Sequence, residues 1–523
     1  MNALLMTVCL CLAAADEPVE ADVVIRQATI HDGSGEPARQ GDIAIRGDRI
    51  AAVGQFAYRG NPRIVAAEGL IVAPGFIDLH NHSDSPITRP ATRLNQNFLL
   101  QGCTTVVTGN CGGGRLDVED YLREIDDHRA GTNVAHLIPQ GEARRRAVGE
   151  DKRPPSTDEL DAMKQLIQEG MRAGAFGMST GLIYNPSSYA DTRELIELSR
   201  VVAAHGGIYV SHMRNEGTRL LESIAETLAI GREAGLPVHI SHFKVSGRKA
   251  WGLAPDAIQA VVAARKAGQR VTADQYPYIA SSTSLAAMVV PDVYRSTARL
   301  RAALENPDEA ARVRERIEQG LDGRDGGKSL FLAKYDDHPE WQGKDLATLA
   351  SQTRKSVLEL VLEIQLHGGA RVVSFGMNED EVRLLMQPDF VATASDGSAM
   401  IPDDTVPHPR SYGTFPRKIG HYAIERAIVP LEKAIRSSSG LPADILGLPN
   451  RGYLKPGWFA DIVILDPQTF RDTATFDKPH EYATGVRYLF VNGELAVDEG
   501  QITQRLAGRA LRHESKASEL RRP

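Results

Sequence analysis

No block of basic residues in this chain is long enough to track a phosphate backbone, and 60 Lys+Arg against 67 Asp+Glu leave a net charge of −7. Nucleic acid is therefore not an expected partner. No hydrophobic run is long enough to span a bilayer: the most apolar stretch, residues 3–15, is too short, so stable membrane association is not expected. No internal repeat or low-complexity linker divides the 523 residues. With 24% charged and 42% apolar residues, the composition matches soluble domains and excludes a disordered, collagen-like or multi-span membrane protein. Cysteine is scarce, at four residues.

The apolar run ALLMTVCLCLAAA ends in small residues just before Asp16-Glu17-Pro18, the form of an export signal cleaved near Ala14 or Ala15, although Met1-Asn2 carries no basic residue. Residues 1–15 are accordingly expected to be a signal peptide and the mature protein periplasmic or secreted. Cleavage would remove Cys9 and Cys11 and leave Cys103 and Cys111. The run Thr104-Thr105-Val106-Val107-Thr108 between them is β-type, and an extended strand would hold them about 25 Å apart, far beyond disulfide reach. A free thiol is expected even in an oxidising compartment.

What is present is an alternation. From residue 67 to 436, short β-rich runs alternate with amphipathic helical stretches, the sequence form of βα units around a parallel sheet. The fold class expected is α/β, a (β/α)8 TIM-like barrel. Candidate strands end at His82, Asn110, Ile138, Ser179, His212, His242, Asp274, Met377 and Asp396, one too many, so the strand at Asp274 or at Met377 belongs elsewhere. The alternation breaks at about residues 284–349, which read as an inserted lid-like subdomain, with Tyr335, His338 and Trp341 as candidate lid residues. Period-2 patterns in residues 21–66 recur in 437–513, which predicts one small β-sandwich domain built from both termini.

Most histidines here (His31, His128, His136, His205, His367, His480, His513) are expected to be surface or satisfied core residues. Four are placed differently. His80 and His82 are two apart at a strand end and share a face. His212 and His242 end two successive strands separated by one helix, at about residues 218–235, so they project from neighbours on the barrel rim where sites are built. Cys111 joins them from another strand end, and zinc accepts mixed nitrogen and sulfur ligands. Cys103 reads as a buried structural thiol. Asp396, at the last strand end, can take a proton from a metal-activated water; the bland alternative is a turn aspartate before Gly397.

As a set, these motifs resemble the N-acyl-D-amino-acid deacylase (D-aminoacylase) family of the amidohydrolase superfamily. The resemblance runs through Pro74-Gly75-Phe76-Ile77-Asp78-x-His80-x-His82, Thr108-Gly109-Asn110-Cys111-Gly112, Ser179-Thr180-Gly181-Leu182-x-Tyr184, Ser211-His212-Met213-Arg214-x-Glu216, Ile240-Ser241-His242-x-Lys244 and Asp274-x-Tyr276-Pro277-Tyr278 to Ser395-Asp396-Gly397 and His408-Pro409-Arg410. It implies a tight Zn2+ site from Cys111, His212 and His242 and a second, weaker one near His80 and His82. No lysine occupies the fourth strand, so Cys111 would be the bridging ligand. It also implies that Lys244, Tyr276 or Tyr278, and Ser281 or Ser282 hold the substrate's α-carboxylate. One departure is clear: where many relatives carry Gly-His-Gly after the third strand, this chain has Pro139-Gln140-Gly141-Glu142-Ala143-Arg144.

The expected chemistry is hydrolysis of the amide bond of a small-molecule N-acyl-D-amino acid, with Asp396 taking a proton from the attacking water and returning it to the amine. A D-specific dipeptidase would use the same machinery but needs an acidic partner for the free ammonium. Cyclic-amide hydrolysis and a metal-free binding protein are weaker alternatives.

Overall fold

The computed structural model describes residues 17–514, so the expected signal peptide lies outside the described residues. Eight parallel strands form the barrel: β1 Phe76–Asp78, β2 Cys103–Thr108, β3 Asn133–His136, β4 Gly177–Gly181, β5 Ile208–His212, β6 Val238–Ile240, β7 Val271–Gln275 and β8 Val391–Thr393. β1, β2 and β3 pair in order; the chain then resumes as Ile138–Pro139, which carries the pairing to β4 and on through β5, β6, β7 and β8. Every residue of β2 is buried, as expected for a strand covered on both faces. The two ends of the sheet meet beyond the strands. Asn81 bridges Gly397, the His82 N–H donates to the Gly397 carbonyl at 2.7 Å, and the Asp396 N–H donates to His80 at 2.8 Å.

Helices between the strands face the barrel with regular apolar stripes. Thr157–Arg172 opens with a reciprocal cap between Ser156 and Glu159 and buries Met163, Ile167 and Met171 at helical spacing. Leu220–Ala234, the helix that spaces His212 from His242, stops where Gly235 takes a left-handed φ of 74°.

The surplus strand is the one before Met377. Arg371–Phe375 pairs antiparallel with Ala280–Ser284 and with Leu330–Lys334, in a three-stranded sheet outside the barrel. The expected insert of 284–349 is thus too short on both sides. Its apolar core, which includes Leu300, Val313, Ile317, Leu332, Leu360 and Val372, also takes in the helix Val357–Leu366. A β-branched strand at the centre of a small sheet carries the same local pattern as a barrel strand, so periodicity does not mark this boundary.

Strands from both sides of the barrel complete a nine-stranded sheet, in which Ile71–Pro74 lies between Val23–Ile30 and Ile462–Leu465. The barrel therefore starts after residue 74, not at 67. At the other end, Leu441 and Leu446 of the helix Gly440–Leu446 share an apolar cluster with Ile77 and Ala392, so barrel packing continues past 436. Gly75 makes the junction: a Cβ there would lie 2.2 Å from a Thr104 side-chain carbon. A buried polar network also joins the two units. Asp461 is paired with Arg451, and Asn492 Nδ2 donates to the side-chain Oδ1 of Asn133, on β3, at 2.8 Å.

Candidate metal centre

The C-terminal ends of β1, β2, β5, β6 and β8 converge on one sulfur. Cys111 Sγ lies 3.3 Å from His80 Nε2, 3.5 Å from His212 Nδ1 and 3.9 Å from His242 Nε2, and the last two nitrogens are 2.9 Å apart. Asp396 Oδ1 is 3.0 Å from His82 Nε2 and 3.6 Å from His80 Nε2. The donors of His80, Cys111 and His242, and separately those of His80, His82 and Asp396, could each hold one ion. Tetrahedral zinc with bonds of about 2.0–2.3 Å places its ligand atoms roughly 3.3–3.8 Å apart, close to most of these spacings.

Three of these residues are held in a backbone conformation that L side chains avoid: Cys111 at φ 55°, His242 at φ 37° and Asp396 at φ 51°. Each follows a strand end, and the left-handed turn swings its side chain to the barrel axis. Strain of this kind persists where surrounding structure enforces it and concentrates at functional sites.

The electrostatics fit a metal-binding thiolate. Burial raises the Cys111 thiol, but the neighbouring His80 and His212 outweigh it and hold the pKa well below the ordinary thiol value. Burial likewise raises the Asp396 carboxyl, and Arg410, with His80 and His82, overrides it and keeps it ionised. Arg410 Nη1 stands 2.7 Å from Asp396 Oδ2. Both Cys103 and Cys111 are free thiols.

Other contacts were legible in the sequence only as parts of motifs without roles. Glu216 Oε1 is 2.7 Å from both His242 Nδ1 and Lys244 Nζ, and Glu216 Oε2 is 3.9 Å from His212 Nε2. A proton on His242 Nδ1, donated to Glu216, leaves Nε2 free as a ligand, so Glu216 sets the tautomer. Asp274 accepts from the His242 backbone N–H at 2.6 Å and from His239 Nε2 at 2.8 Å, and lies 3.6 Å from His80 Nδ1. His408 accepts from the Arg410 N–H at 3.0 Å and donates to the Ala280 carbonyl, which fixes the loop that delivers Arg410. Glu216 and His408 come from loops and Arg410 opens a short helix behind one, and no periodicity announces where such a side chain lands; Asp274 stands in β7, where its partners come from neighbouring strands.

Two cavities open from the centre. One, of about 440 Å³, is lined by His212, His242 and Asp396 together with Lys244, Tyr276, Ser281 and Ser282. Tyr276 is buried with its hydroxyl unpartnered, and its ring lies 5.7 Å from Lys244 Nζ. Tyr278 is not on this wall. The Tyr278 N–H donates to the Tyr276 carbonyl in a tight turn at Pro277, which sends the Tyr278 ring to within 5.0 Å of that of His408. The second cavity, of about 430 Å³, is lined by His82, Cys111, Asp396 and Arg410 with Gly112, Glu142 and Arg145. The Gly-His-Gly position is filled here by Gln140, which accepts from Ser187 Oγ and donates to Glu194 at 3.0 Å; Glu194 also pairs with the buried Arg144. The expected lid residues line neither cavity. Tyr335 borders a neighbouring one, and His338 stacks on Trp341 at 4.0 Å. His136, expected to be a satisfied core residue, takes Thr108 and the Arg115 carbonyl, both at 2.8 Å.

Comparison with known proteins agrees with this geometry. The model of the amidohydrolase family matches residues 63–497. A D-aminoacylase from Alcaligenes xylosoxydans xylosoxydans is 36% identical over 94% of this chain and 97% of its own. A solved D-aminoacylase structure, with a binuclear metal centre described as activated by one metal and attenuated by a second, superposes with a TM-score of 0.82 at 34% identity, over 94% of this chain and all of that one. An N-acyl-D-glutamate deacylase from Bordetella bronchiseptica, solved with zinc and a phosphonate inhibitor that mimics the tetrahedral intermediate, gives 0.82 at 32% identity over the same shares. On both counts, sequence matched along nearly its whole length and fold superposed, the chain belongs to the D-aminoacylase branch of the amidohydrolases.

Proposed function

We propose that this protein is a zinc-dependent hydrolase that cleaves the amide bond of N-acyl-D-amino acids to a carboxylate and a free D-amino acid. The convergence of the Cys111 thiolate, His212, His242 and an ionised Asp396 at the mouth of a cavity that also holds Lys244 carries this reading. Cys111, His212 and His242, mutually within 3.9 Å, would hold the tight ion, and His80, His82 and Asp396 the weaker one. When bound, zinc supplies Lewis acidity toward a water and the acyl carbonyl. Asp396, kept anionic and oriented by Arg410, accepts the water's proton and returns it to the amine nitrogen as that leaves. Lys244, with Tyr276 and Ser281 or Ser282, takes the α-carboxylate. Preference for the D form is supported by three relatives matched over 92–94% of this chain, each of them named for D substrates.

A dipeptide's ammonium would need an unpaired acid in the second cavity. Of the acids that line it, Glu142 is paired with Arg145 and Asp396 with Arg410, whereas Asp84 is buried, accepts from the Gly109 N–H at 2.7 Å and has no lysine or arginine partner among the described residues, so support for the acylated substrate comes from the relatives' names and not from this wall. The test is a panel of N-acetyl amino acids and dipeptides in both enantiomers, assayed with bound zinc quantified. Turnover of N-acetyl-D-amino acids with bound zinc is expected. Preference for L forms or for dipeptides would overturn the assignment.

A further inference from the structure

Cys111 rides on a turn that its own residue types do not hold. Gly109 and Gly112 flank it at φ 78° and 68°, Gly113 and Gly114 follow, and Cys111 itself sits at φ 55°. Glycine imposes little backbone preference and cysteine disfavours this one, so the segment has no local reason to keep the sulfur where it stands. Something outside the turn fixes it.

The fixing group is one hydroxyl. Ser179 Oγ, buried in the middle of β4, donates to the Gly109 carbonyl and accepts from the Gly112 N–H at 3.0 Å, using both capacities of a hydroxyl. Among the described residues it is the only side chain that bonds the backbone on both sides of Cys111. Asp84 takes the Gly109 N–H at 2.7 Å, and the Asn110 amide donates to the Val107 and Leu79 carbonyls at 2.9 and 3.2 Å, all on the approach to the cysteine. Past it, the Gly113 N–H donates to the Asn110 carbonyl at 3.2 Å, a bond internal to the turn. The backbone of β4 supports the same turn, since a Cβ on Gly181 would lie 2.1 Å from the Cys111 carbonyl oxygen. Yet β4 puts no donor into any of the three groups of side chains that could hold an ion.

Resting on the zinc reading above, we infer that Ser179 is the positioning residue of the thiolate ligand. Its hydroxyl closes the turn around Cys111 before any ion is bound and holds Sγ 3.5 Å from His212 Nδ1 and 3.9 Å from His242 Nε2. The fourth strand thus serves the metal centre through a backbone clamp, with no ligand of its own. Partners that orient a ligand without touching the ion contribute about 10–100-fold in metal affinity.

The experiment measures zinc affinity by chelator competition, and the sulfur-to-cobalt charge-transfer band of the cobalt-substituted protein, in the wild type, Ser179→Ala and Thr180→Val. Thr180 is the matched control: it is buried in the same strand and bonds Tyr209 and Ser211, so valine removes hydrogen bonds that do not reach the turn. Ser179→Ala should bind zinc at least about tenfold more weakly and show a weaker or shifted band, while Thr180→Val matches the wild type in both. Unchanged affinity and band in Ser179→Ala overturn the inference, as does an equal loss in Thr180→Val, which would make the effect one of general stability. A second measurement needs no variant. In the metal-free wild type the Gly112 N–H should be protected from hydrogen exchange, and free exchange there until zinc is added overturns the inference even if Ser179→Ala does not fold. In all these outcomes the wild type still binds metal through Cys111, whereas a wild-type cobalt protein without the sulfur band would overturn the zinc reading, and this inference with it.

Discussion

Asp396 has an unusual combination of duties: it pairs with Arg410, contacts two imidazoles and occupies a left-handed backbone turn. Replacing it with Asn keeps the shape and removes the proton acceptor. Asp396→Asn should retain zinc at Cys111, His212 and His242, read by metal analysis, while kcat falls by about 10²–10⁴, the usual worth of a positioned base. Cys111 makes a different prediction, because its φ of 55° suits glycine far better than alanine. Both Cys111→Gly and Cys111→Ala should lose zinc, but the metal-free Gly variant should melt higher than the Ala variant, by roughly 1 kcal/mol of relieved strain. Equal melting would mean that the turn is not strained. These residues were the legible part of the site. Cys111, His212 and His242 each end a β-rich run, so topology alone brings them together, whereas the partners of Glu216 and Arg410 are set by loop paths, and those of Asp274, inside β7, by which strand pairs beside it.

At the scale of elements, the same local pattern can serve two sheets. Arg371–Phe375 is short and β-branched, and nothing within it distinguishes a barrel strand from the centre of the insert's sheet; only its pairing does. The turn at Pro277 defeats pattern reading in the same way, by breaking the alternation that would have put Tyr276 and Tyr278 on one face. The wide-turned helix Arg417–Glu425 carries a testable charge. Burial lowers Lys418 from its ordinary 10.5 to about 7, and its amine donates to the Met386 carbonyl at 3.3 Å. Between those two pH values the unfolded chain binds a proton that the folded chain does not, so stability rises with pH across the window and is least below about 7. Thermal melting of the wild type should therefore improve from pH 7 to pH 9 relative to Lys418→Met. Parallel curves for the two proteins would contradict the buried amine.

For the whole molecule, the terminal sheet and the barrel are one structural unit through buried polar contacts as well as apolar ones. Arg451→Ala would leave Asp461 charged, buried and without its cation, and should cost about 3–5 kcal/mol, measurable as a large drop in melting temperature. Chelation should also lower the melting temperature, and added zinc should restore it in a concentration-dependent way, since a ligand bound to the folded state stabilises it by mass action. Export of the chain remains our proposal, and sequencing the mature N-terminus tests it: a start after Ala14 or Ala15 is expected.

The closure of the barrel at Asn81 and Gly397 has a consequence for how the protein is made. His80 and Asp396 lie on the two lips of that seam, and the pairing that aligns them joins residues as far apart as Asp78 and Ser395, 317 positions along the chain. A nascent polypeptide still emerging from the ribosome can display every imidazole and the thiol, yet it has no seam. Metallation of the complete centre thus waits for the finished barrel, and a chain truncated ahead of Asp396 would be left with scattered ligands and no hydrolytic activity.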